Sequence, residues 1–231
     1  MSFSLTTLNN YKIQVTKNSK RVLPPIPRMA SHLPPALSKL PSGCQELDLF
    51  LEGGLAPGSV NEWGVPFGLG GRGVILDYLA SATQGTRGRD GDRAPVWCLW
   101  VYSRPSMTVY PPAWCAQGVV LPRVRFAYAP RPVAQLRPIF LESFFKVIVL
   151  DAPRFFSEED CAFVSRQARL NQQTVIILRD HLLTSTQSSI WTKLRVNCWR
   201  DLASERHYVR VLRGLSPRQL AFQRQSKVLG N

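Results

Sequence analysis

The chain has 231 residues, 45% of them apolar and 10% aromatic, enough for one domain of ordinary size with its own core and no need of disulfides or a structural metal. Its 29 Lys and Arg against 15 Asp and Glu give a formal charge of +14. That excess points away from an ordinary metabolic enzyme and toward a polyanionic partner: nucleic acid, or an acidic protein or membrane surface.

The longest uncharged apolar stretch, Ala94–Ser103, is about half of the roughly 20 residues that a bilayer span needs. The opening residues carry neither a basic n-region nor a sustained apolar run, so no secretory signal is expected. The five cysteines, Cys44, Cys98, Cys115, Cys161 and Cys198, are odd in number, far apart and without a CxxC. Reduced, buried thiols in a cytoplasmic protein follow, with neither a disulfide framework nor a zinc site. Charge is uneven along the chain: residues 1–40 sum to +6, 41–165 to −1 and 166–231 to +9.

In chain order, residues 1–40 form a basic, proline-rich arm, because Leu23–Pro35 suits neither helix interior nor central strand. A core is expected over 41–214 and a basic tail over 215–231. Ser42 with Gln45 is a capping-box pattern, opening a helix over Cys44–Leu51 that Gly53-Gly54 stops. A short strand is predicted at Ser59–Trp63, a glycine-rich turn at Gly64–Gly73 and a helix-like apolar run over Val74–Ala82. Arg87–Arg93 reads as a polar loop. Val96–Tyr102 is an apolar run of the kind buried on both faces. Pro111-Pro112 opens a short helix ending at Gly118, and Arg123–Tyr128 alternates as a strand. Val133–Ser143 is helical with Pro138 as a defect. Phe145–Leu150 is a second buried strand closed by Asp151. Ser157 followed by Glu158, Glu159 and Asp160 is a cap with acids in the first turn, opening a helix to about Leu170. Thr174–Leu178 is a third buried strand. Trp191–Arg200 and His207–Arg213 read as an antiparallel pair at the edge. Strands alternating with helices give an α/β domain with a mostly parallel sheet.

Gly64-Val-Pro-Phe-Gly-Leu-Gly-Gly-Arg-Gly-Val74 stands where α/β proteins bind phosphates on backbone N–H groups and a helix N-terminus. The working form is GxxxxGK[ST]. In the best register only Gly71 matches: Pro66 takes the first glycine, Arg72 the lysine and Gly73 the hydroxyl position. Arg is bulkier than Lys and Gly73 has no hydroxyl for magnesium, so nucleotide hydrolysis is not expected. Two alternatives stay open: residual phosphate binding at Gly64, Gly68, Gly70, Gly71, Arg72 and Gly73, or a turn whose glycines let helix and strand approach closely. Asp151 after Val147-Ile-Val-Leu150 has the pattern of a Walker B aspartate. No cofactor is required; ATP with magnesium is the one the loop would suit.

Leu40-Pro-Ser-Gly-Cys-Gln-Glu-Leu-Asp48, then Gly53-Gly-Leu-Ala-Pro-Gly-Ser-Val-Asn-Glu-Trp63, then the glycine loop, resemble the opening of RecA-like proteins. The degenerate loop narrows the resemblance to the ImuA family, RecA-related and SulA-related accessory proteins of bacterial error-prone translesion synthesis. It spans roughly residues 38–214. It implies a RecA-like P-loop NTPase fold and a scaffold role in damage-induced mutagenesis and the SOS response. The partners it implies are a Y-family-like polymerase homologue (ImuB), an error-prone C-family DNA polymerase, and RecA. A catalytic member would carry a glutamate after Val96–Tyr102, where this chain has Tyr102-Ser103-Arg104. Two rivals remain: a DNA-dependent RecA-like ATPase using Arg72 and Asp151, and a SulA-like cell-division inhibitor.

The histidines His32, His181 and His207 are scattered and pair with no nucleophile, and Glu158, Glu159 and Asp160 are explained as helix N-terminal charge. Lys193, Arg195, Arg206, Arg210, Arg213, Arg218, Arg224 and Lys227 crowd the last third with almost no compensating acid. They are expected to contact DNA or an acidic partner. Alternation puts Lys193 and Arg195 on the face away from the core. Trp191 and Trp199 either stack bases or lie in the core. No membrane partner is expected.

Overall fold

The computed structural model describes residues 39–85, 93–104, 109–185 and 190–224. Most of the arm with His32, the stretch 86–92 and the end of the tail with Lys227 lie outside them. Eight strands form one sheet: β1 (Ser59–Gly64), β2 (Trp97–Tyr102), β3 (Val124–Tyr128), β4 (Phe145–Asp151), β5 (Thr174–Arg179), β6 (Leu194–Arg200), β7 (His207–Arg213) and β8 (Gln219–Phe222). Their spatial order is β3-β2-β4-β5-β1-β6-β7-β8. The pairs from β3 to β6 are parallel, and β6-β7-β8 is an antiparallel meander at one edge.

Helices α1 (Gln45–Phe50), α2 (Gly71–Gln84) and α3 (Pro111–Ala116) pack on one face, and α4 (Pro132–Leu141) and α5 (Glu158–Asn171) on the other. The reason is visible in the central strands. In β2, Cys98 and Trp100 join the first core with Trp63, Tyr78 and Val149, while Leu99 and Val101 join the second with Ile148, Val164 and Ile177. A strand that is apolar at every position has two faces to bury, and only a layer of helices on each side removes both from water.

Local signals act as predicted in α5. Ser157 Oγ accepts the Asp160 N–H at 3.1 Å, and Asp160 Oδ2 accepts the Ser157 N–H at 3.0 Å. Pro138 sits in α4 beside a break in helical geometry at Leu136, as the missing N–H and ring clash require.

At α1 the expected box is replaced. Cys44 is the N-cap and gives no side-chain cap. The Asp48 carboxylate instead accepts the N–H groups of Ser42 and Gly43, at 2.6 and 3.0 Å, and the Ser42 hydroxyl at 2.8 Å. An ionised carboxylate is the stronger acceptor, so Gln45 is not used. The chain expected to be a tail after Gly214 returns to the sheet and adds β8 beside β7. Of the thiols, Cys98, Cys161 and Cys198 are buried, Cys44 is partly so and Cys115 is exposed. Burial pushes the Cys98 and Cys198 thiols up to about 12. Among the described residues no helix is long and apolar enough to cross a membrane.

Candidate functional site

The glycine loop joins β1 to the N-terminus of α2, and Asp151 ends β4, with β5 lying between the two strands. The loop's side chains and this carboxylate meet directly. Arg72 Nη2 and Nε donate to Asp151 Oδ1 at 2.9 and 3.1 Å. Arg72 Nη1 donates to the Val65 carbonyl at 2.7 Å, and the guanidinium carbon lies 3.7 Å from the centroid of the Phe67 ring. Each guanidinium nitrogen therefore has a partner. The Asp151 side chain is 1% exposed. Burial raises its carboxyl above the usual aspartate range, and the Arg72 charge and hydrogen bonds work the other way. The residue in the lysine register thus lies on the carboxylate oxygens that a magnesium would need.

The glycines divide by what each position demands. Gly64, Gly71 and Gly73 allow close approach. A Cβ on Gly64 would run into Asn197 Oδ1, and one on Gly71 would lie 2.5 Å from the Cys198 carbonyl oxygen. At Gly73 it would lie 2.6 Å from Arg224 Nη1. Gly70, the N-cap of α2, and Gly68 have φ of +70° and +78°, the left-handed region that glycine enters without strain. Gly73 lacks a hydroxyl at a place where another side chain is packed. Arg224 grips Asp77 of α2 from Nε and Nη2, at 2.6 and 2.9 Å, and Gln117 at 2.7 Å.

Beyond Asp151 the carboxyl ends of β2, β4 and β5 open into a cavity of about 590 Å³ lined by Ser103, Arg104, Arg154, Arg179, Asp180 and His181 among others. Ligands of open α/β sheets bind at such strand ends. Arg104 pairs with Asp180, and Arg179 Nε donates to Glu62 at 2.9 Å. Burial works against the Asp180 charge, but its bond with His181 and the Arg104 cation hold the carboxyl below its ordinary range. With Arg104 committed to Asp180 and Arg179 to Glu62, Arg154 is the cavity arginine with no acid partner among the described residues, and its charge suits an anionic group better than a cation. None of these cavity residues stands out as a ligand in sequence, because each looks like ordinary loop charge; the signal that could have found them is their place just after three buried strands.

The basic residues of the last third do not act as one surface. Arg195 is 3% exposed. It does lie on the sheet face opposite Val196, but that face is not solvent here. Its Nε donates to Glu62 Oε2 at 2.8 Å and its Nη1 to the Thr184 carbonyl at 3.3 Å. Glu62 carries both Arg195 and Arg179, so Arg195 is a buried ion-pair partner and not a DNA contact. Arg224 is committed to Asp77. Arg218 donates to the Phe50 carbonyl and lies over the Phe50 ring, which ties β8 to α1. Arg213 is half-buried and engaged. Lys193, Arg206 and Arg210 are exposed. Trp199 is half-buried and stacked on Tyr208, with Trp191 packed against the second core.

The sheet and its helices define a mixed α/β protein with a mostly parallel eight-stranded sheet and an antiparallel edge. No protein-family model matches the chain, and no curated protein matches it in a sequence search.

Proposed function

We propose that the protein is a non-enzymatic accessory factor of error-prone translesion DNA synthesis, similar to the ImuA family, acting as a scaffold in damage-induced mutagenesis. In that role it holds a Y-family-like polymerase homologue and an error-prone C-family polymerase near DNA or a recombinase filament. The RecA-like opening Leu40–Trp63 and the +14 charge support the DNA-linked part. The observation that carries the non-enzymatic part is the Arg72–Asp151 pair. Phosphoryl transfer needs a lysine on the phosphates and a carboxylate free to hold magnesium, and here the two positions bind each other.

The test has two arms. Purified protein with ATP and magnesium, with and without single-stranded DNA, is expected to show no turnover. Magnesium-dependent turnover lost in Asp151→Asn would establish the ATPase alternative instead. Cells lacking the chain are expected to lose damage-induced mutations and to regain them with the wild-type gene. Unchanged mutation frequency overturns the translesion role, and inhibition of division-protein assembly by the purified chain would replace it with the SulA-like alternative.

A further inference from the structure

Helices α4 and α5 cover one face of the sheet over its parallel part, and α1 to α3 cover the other. Where β6, β7 and β8 leave α5 behind, the first of these faces carries no helix among the described residues. The antiparallel register lays out what stands there. Trp199, Tyr208 and Ala221 form one cross-strand row, and Asn197, Arg210 and Gln219 the next. Trp199, Tyr208 and Ala221 are half-exposed, Arg210 and Gln219 exposed, and only Asn197 is buried, under the Leu183 backbone. The Trp199 and Tyr208 rings lie 5.6 Å apart and 11° from parallel.

The charge on this face has one sign. No acid occupies either row. Arg210, one row from the rings and so about 7 Å along the strands, has no ion pair or side-chain hydrogen bond among the described residues, and Arg206 stands exposed just before β7. The acids of the β6–β7 turn, Asp201 and Glu205, are engaged locally: Asp201 is held by Ser204 and Glu205 faces Arg200. Glu62, on the neighbouring β1, is bound by Arg195 and Arg179.

We propose that this open face of β6-β7-β8 is a platform for single-stranded nucleic acid, on which a base stacks against the Trp199–Tyr208 pair while Arg210 and Arg206 neutralise the flanking phosphates. A partly exposed aromatic pair beside arginines that have no side-chain partner among the described residues offers what an unstacked base and its phosphate require. Bases inside a duplex present no face to such a platform. The inference rests on the DNA-linked role proposed above and deepens it by naming the surface and the strandedness of the ligand.

The experiment is fluorescence anisotropy of the full chain with a labelled oligo-dT, the same length of oligo-U and a duplex, over a salt series. Binding is expected for single strands ahead of duplex, and the dT and U arms assign DNA or RNA. Trp199→Ala is expected to weaken binding on the order of tenfold, and Arg210→Gln to lower the salt slope by about one. Arg210 is exposed, so the folding of that variant is secure if replacing Trp199 disturbs the sheet. Arg166→Gln, exposed on α5 and outside both the cavity and the platform, is the control and keeps wild-type affinity. Wild-type binding by both Trp199→Ala and Arg210→Gln overturns the platform, as does preference for duplex. If wild-type protein binds no oligonucleotide yet still captures the polymerase partner, the platform falls and the scaffold stands; if it does neither, both fall.

Discussion

The glycine loop and the β6-β7-β8 face are built from the same kind of residue and use it in opposite ways. At the loop, Arg72 is inward, stacked under Phe67 and bound to a carboxylate that is itself sealed from water. On the open face, Arg210 has no partner among the described residues and sits beside half-exposed rings. A guanidinium that has satisfied its donors inside the protein offers little to a ligand, whereas one held in place without a partner has its charge to give. The net charge of +14 therefore overstates what is available. Arg195, Arg218 and Arg224 commit theirs to Glu62, to the α1 carbonyl end and to Asp77. The contrast also ranks what should happen when each is broken.

The largest effect is expected at Glu62, which holds two arginines at once. Glu62→Ala leaves Arg195 charged and buried, and should cost about 4 kcal/mol, read as a shift in urea midpoint. Asp151→Ala should cost about 3 kcal/mol, less because Arg72 retains some access to water. The double variant Arg72→Met with Asp151→Leu removes both charges and should recover most of that loss, read as the coupling energy of a double-mutant cycle. Gly73→Ser restores the hydroxyl of a working loop but pushes the Arg224 fork, so a loss of about 1 kcal/mol with no gain in ATP affinity is expected. Calorimetric titration with ATP checks the second half of that statement.

Smaller again is the pH term from His207. Burial, with Arg224 and Arg200 nearby, lowers its pKa below the ordinary 6.5. A histidine depressed in the folded state adds stability above its unfolded pKa and loses it as pH falls toward the folded value. Stability should therefore decline below about pH 6.5, and His207→Gln should flatten the slope of unfolding free energy against pH in that window. Arg210→Gln should change stability by no more than about 0.5 kcal/mol, while it weakens binding to single strands. A variant that lost stability instead would show that Arg210 belongs with the inward arginines.

Features that lie within a few residues of each other are legible in the sequence alone. The run Val96–Tyr102 announces a strand buried twice over, Ser157 with Asp160 announces a helix start, and Pro138 announces a break. Each is a matter of local sterics, capping or side-chain period. The short strand Gln219–Phe222 is not legible, because four residues with mixed polarity carry little periodic signal, and only pairing with β7 makes them a strand. Arg72 looks like a departure from a nucleotide-binding pattern and Asp151 like a match to one; that the two bind each other cannot be read across 79 positions of chain. Alternation is right about the sheet face that Arg195 occupies and silent about Glu62, 133 residues away and only one strand over.

Sequence by itself determined most of the element types, the alternation that makes a mostly parallel sheet, and the basic excess of the last third, since propensity, periodicity and charge are properties of short windows. Which charges cancel and which remain was decided only in three dimensions. Ion pairs act over a few ångströms of space, and the order β4-β5-β1-β6 brings together carboxylates and guanidiniums that the chain keeps far apart.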